Sequence, residues 1–87
     1  MNLELDKIKS LPPEEAIEIL SRHLQQNPED DEALTMRGMK HWALNQRQLA
    51  INDYLSAIRI NPHSKARMAL EFANSILDYY NKDLLNP

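Results

Sequence analysis

Two Asn-Pro dipeptides, Asn27-Pro28 and Asn61-Pro62, stand 62 − 28 = 34 residues apart in a chain of 87. Proline disfavours the α conformation for the residue before it, so each pair closes a helix. Two residues beyond each proline comes a short polar side chain, Asp30 or Ser64, of the kind that opens the next helix. The match extends inward from this punctuation. Ala16 aligns with Ala50, Ile17 with Ile51, Leu20 with Tyr54 and Leu24 with Ile58. Beyond the prolines, Leu34 aligns with Met68, Met36 with Leu70 and Trp42 with Ile76. A helix pair repeated at this period constrains the chain to a stack of helical hairpins.

Composition agrees with that reading where it bears on it. A single glycine, with abundant Leu, Ala, Ile, Glu and Gln, favours helix over sheet. Five helices are expected. The first covers about residues 2–9, with Leu3, Leu5 and Ile8 as its apolar contribution. The second starts at Pro13, where a missing N–H costs nothing, and runs to about Gln26. The third follows Asp30 and ends near Asn45, a residue that tolerates the left-handed conformation of a helix cap. The fourth spans about 47–60, and the fifth opens after Ser64 and continues to about Tyr80 or slightly beyond. Connections are short, so neighbours lie antiparallel.

With these residues at this period, the sequence resembles the tetratricopeptide repeat (TPR) family. Residues 31–62 are similar to one whole repeat. Gly38 stands at the close-packing glycine of its first helix, and Ala50, Tyr54 and Ala57 stand at the small–aromatic–small set of its second. Pro62 matches the closing proline. Leu34 occupies a position where the family usually has Trp, and His41 one where it usually has Tyr; both keep the bulk. The resemblance implies one all-α domain over 1–87, built as antiparallel helical hairpins in a short right-handed solenoid. Within it, 1–28 resemble a truncated first repeat, with His23 in place of a small residue, and 29–62 the complete one. Residues 63–87 resemble a C-terminal capping helix and tail, with an ending similar to small stand-alone bacterial members. The family binds other proteins on its concave face.

Chemistry has little foothold in this sequence. The absence of cysteine excludes disulfides, thiol catalysis and a cysteine zinc site. His23, His41 and His63 are not at the i, i+3 or i, i+4 spacing of helical metal ligands. No serine lies in a glycine-flanked elbow, and one glycine cannot build a phosphate-cradling loop. The acidic run at 28–32 lacks the oxygen spacing and turn glycine of a calcium loop and reads as helix capping. The expectation is a non-enzyme with no cofactor and no metal. A net charge of −3 gives no footprint for nucleic acid or an anionic membrane. It also disfavours a helix-turn-helix nucleic-acid binder, the remaining way to read paired helices with short turns. No stretch approaches the roughly 20 apolar residues of a membrane span. No signal-type start is visible, so the cytoplasm is the default compartment.

The resemblance places Met36, Met39 and Ala43 on the concave face of the third helix, beside Glu32 and Thr35, with Trp42 at the margin. Leu70, Ala73 and Leu77 hold the equivalent places on the fifth helix. These seven residues are the expected partner-binding set, an apolar surface for a peptide or partner helix. It lacks the Lys, Asn and Arg of family members that clamp a C-terminal carboxylate. The polar residues of the fifth helix gather in a narrow arc, and the rest carries two apolar stripes. Met68, Phe72, Ile76 and Tyr79 are expected to pack on the fourth helix, leaving Ala66, Leu70, Ala73 and Leu77 open for a partner. Two other fates for the open stripe are closure against the third helix, burying Met36 and Met39, and a symmetric homodimer. Tyr80, Leu84 and Leu85 would then contribute to the dimer.

Overall fold

Helix boundaries in the computed structural model follow local chemistry closely. It describes the backbone of residues 4–85 and the side chains of residues 4–77. Among them are five α-helices and no strand: α1 Leu5–Lys9, α2 Pro13–Gln26, α3 Asp31–Ala43, α4 Arg47–Ile60 and α5 Ala66–Leu85. The expected roles of Leu3, Tyr79, Tyr80, Leu84 and Leu85 lie outside the described side chains.

Asp30 caps α3, its Oδ1 accepting the amide of Ala33 at 3.1 Å. Its other oxygen, Oδ2, lies 2.6 Å from His23 Nε2, which donates to it and ties the end of α2 to the start of α3. His23, bulky where the repeat pattern has a small residue, is thereby accommodated by a hydrogen bond. At the far end of α3 the amide of Asn45 reaches the carbonyl of Trp42, and that of Gln46 reaches His41, both at 2.9 Å. With Asn45 at φ 62°, this is a Schellman turn, so the helix proper stops at Ala43 and Asn45 serves as its left-handed cap. Ser64 Oγ accepts the amide of Ala66 at 3.1 Å and opens α5, which runs five residues beyond the expected Tyr80.

Successive helices pack as neighbours, α2 on α3, α3 on α4 and α4 on α5, in a body of 53 × 27 × 19 Å. The core runs through Ala16, Leu20, Ala33, Leu34, Ala50, Tyr54 and Ala57, all buried. Small residues set the spacing between helices. A Cβ added at Gly38 would lie 2.6 Å from Cε1 of Tyr54, so α3 and α4 approach as they do because position 38 has no side chain.

Over residues 66–73 the α5 stripes are the reverse of the sequence expectation, while Ile76 and Leu77 are both half-buried. Ala66 and Ala73 are buried and Leu70 half-buried, whereas Met68 is 75% exposed and Phe72 60% exposed. The physical reason is size. Ala66, Ala69 and Ala73 let the backbone of α5 come close to α4, and a stripe of Met and Phe would hold it away. Both stripes are apolar, so burial favoured the one that packs more tightly.

Candidate functional site

An open groove of about 1080 Å³ runs along α3 between α1 on one side and the α4–α5 turn on the other. Met36, Met39 and Ala43 lie one helical turn apart and form its apolar floor. Met39 is 53% exposed, Ala43 is exposed and Met36 is half-buried against the core. Among the described residues, α1 contributes only its five residues to that side of α3.

Hydrogen bonds fix both walls to α3. On the α1 side, Lys40 Nζ donates to the carbonyls of Lys9 at 2.7 Å and Leu11 at 3.0 Å. The Lys9 carbonyl ends α1 and that of Leu11 lies just beyond it, at the helix terminus where a cation is favoured. Ile8 of α1 is buried in the core and adds apolar anchorage. On the opposite side, Thr35 Oγ1 lies 3.2 Å from Ser64 Oγ and donates to the carbonyl of Asp31 at 2.8 Å. Asn61 Nδ2 donates to Asp31 Oδ2 at 3.2 Å. Charge around the rim is mixed, with Glu4, Asp6, Asp31 and Glu32 against Lys7, Lys9, Lys40 and Lys65.

Behind the floor a polar network locks three helices. Arg37 of α3 grips Asp53 of α4 through two bonds of 2.8 and 2.7 Å, and its remaining nitrogen donates to Ser21 of α2 at 3.2 Å. The Asp53 hydrogen bond raises the Arg37 pKa beyond its ordinary value, against the opposing pull of burial. His41 Nδ1 bonds Gln46 Oε1 at 2.7 Å, while Nε2 stands 3.8 Å from Asp53. No buried side-chain polar atom among the described residues lacks a partner. The network therefore fixes the α3 backbone that carries the floor.

The seven expected binding residues do not form one surface. Met36, Met39 and Ala43 line the groove. Trp42 is half-buried at the side, its ring under the Arg47 guanidinium at 4.6 Å. Leu70 and Leu77 are half-buried on α5 outside the groove, and Ala73, 1% exposed, offers nothing to a partner. Leu5, Lys9, His63 and Lys65 line the groove although sequence reasoning missed them. Only the shortness of the first helix signalled an uncovered stretch of α3. Among the described residues no group of three or more His, Asp or Glu could hold a metal, and no helix is long and apolar enough to cross a membrane.

Together these features define, among the described residues, an all-α arrangement of packed helices with a side groove along α3. No known family, curated protein or solved structure matches the chain.

Proposed function

We propose that the chain is a TPR-like, non-enzymatic interaction module that takes a short apolar peptide or partner helix into the groove along α3. The observation that carries this reading is the methionine floor. Met36 and Met39 line a channel that is open among the described residues and whose walls are hydrogen-bonded to α3. Methionine is flexible and polarisable, so a rigid channel with such a floor tolerates varied apolar side chains. The mixed rim charge sets orientation, and apolar burial supplies the affinity. The 34-residue period and the Gly38–Tyr54 contact support the TPR-like description.

The test is a peptide-library selection on the immobilised chain, followed by methyl NMR of the bound complex. Selected peptides are expected to shift the Met36 and Met39 methyl signals and leave Met68, exposed on α5, unmoved. Met39→Glu combined with Ala43→Glu changes two exposed residues, so helicity should persist while affinity falls about tenfold or more. Peptides that move Met68 instead, or that bind the folded double variant unchanged, would remove the groove from consideration.

A further inference from the structure

The face of α5 turned away from α4 carries Met68 and Phe72 one turn apart, with Arg67 and Glu71 beside them, all exposed. Thirty-four residues earlier stand Ala33, Leu34, Arg37 and Gly38, of which Ala33, Leu34 and Gly38 are buried. α5 thus leaves open the face that α3 uses for packing. Another helix cannot cover it as α4 covers α3. At Gly38 one added carbon would come within 2.6 Å of a tyrosine ring, and α5 carries a phenyl ring at the corresponding point. Whatever covers this face must meet large side chains with large side chains, at a wider spacing.

We propose that a second copy of the chain covers it, the two α5 helices lying antiparallel about a two-fold axis near residues 69–70. Such an axis sets Met68 alongside Phe72 of the second copy and Arg67 alongside its Glu71, and does both twice. The order of charges selects this arrangement. Arg67 and Glu71 are one turn apart on one face, so reversing the second helix pairs opposite charges, whereas a parallel helix would oppose like ones. Arg67 donates to the Pro62 carbonyl through one nitrogen at 3.3 Å, and its guanidinium carries further donors that can meet a carboxylate.

The area sets the strength. Phe72 and Met68 expose roughly 250 Å² per copy, so two copies cover about 500 Å² of such surface, below the ~1,200 Å² of a stable complex. An interface of this size belongs with weak, reversible contacts, so self-association should depend on concentration. It uses a different face from the peptide groove, and either conclusion stands if the other falls.

Sedimentation equilibrium of the full chain from about 10 µM to about 1 mM tests it. The mass should rise from 10.1 kDa toward twice that value. Met68→Glu with Phe72→Glu should hold it at the monomer, with far-UV circular dichroism unchanged because both side chains are exposed. Arg67→Glu and Glu71→Arg alone should each weaken self-association about tenfold. Mixed in equal amounts, those two variants pair every charge correctly and should dimerise with each other. A wild-type mass fixed at the monomer, a dimer that persists in the glutamate variant, or a mixture no better than its components would overturn the proposal.

Discussion

Gly38 and Tyr54 carry more of the architecture than their size suggests. The ring lies against the bare α3 backbone, and a new Cβ would also sit 3.1 Å from the Ala50 carbonyl. Alanine at 38 would gain about 1 kcal/mol of helix propensity but forces apart a buried ring and a backbone oxygen. We expect Gly38→Ala to destabilise the fold by about 1–2 kcal/mol net, read as a melting temperature lower by roughly 4–16 °C. An unchanged or raised melting temperature would mean the two helices spread at no cost. Tyr54 also gives the fold an alkaline limit. Burial first, and the Asp53 charge second, raise its phenol above the ordinary value of 10.0. A group whose pKa is raised by folding contributes fully below its unfolded value and loses that contribution as pH climbs through the folded one. Stability should therefore decline from about pH 10 upward. Tyr54→Phe, which does not titrate, should decline less over the same range. Parallel thermal melts at neutral pH and above pH 10 make the comparison, and equal losses in both proteins would remove Tyr54 as the cause.

At the scale of the element, α1 is the informative case. Five residues are too few for a helix that stands alone, so its order comes from Ile8 and Leu5 against the core and from Lys40 on the carbonyls of Lys9 and of Leu11 just beyond the helix. Lys40→Met keeps the aliphatic stem and removes the donors. Hydrogen exchange at residues 5–9 should speed up about tenfold while α2–α4 keep their protection, given the usual worth of a charged hydrogen bond. Unaltered exchange in α1 would leave apolar packing by Ile8 and Leu5 as its anchorage. Helix ends were legible in the sequence because their signals are local: Asn-Pro stops, the Asp30 and Ser64 caps, and Asn45 in the left-handed turn. The seat of α1 was not. A lysine bonding backbone carbonyls leaves no matching residue type at the other end to be noticed.

At the scale of the molecule, the distinction between local and distant information explains what the candidate site owed to sequence. The family resemblance put Met36, Met39 and Ala43 together, and helical spacing along α3 keeps them on the one face that lines the groove. Leu70, Ala73 and Leu77 were grouped with them by analogy between helices, and the packing of α5 separates them. Two apolar stripes compete on α5, and choosing between them depends on the fit of alanines against α4, which pattern alone does not rank. The order of packing has a further consequence. Among the described residues the principal helix pairs are α2 with α3, α3 with α4 and α4 with α5, each closed by a short connection. Such a chain needs no long-range meeting of its ends to begin folding. The α3–α4 hairpin can form first, and the outer helices can join or leave it one at a time, so assembly is fast and unravelling starts from the flanks.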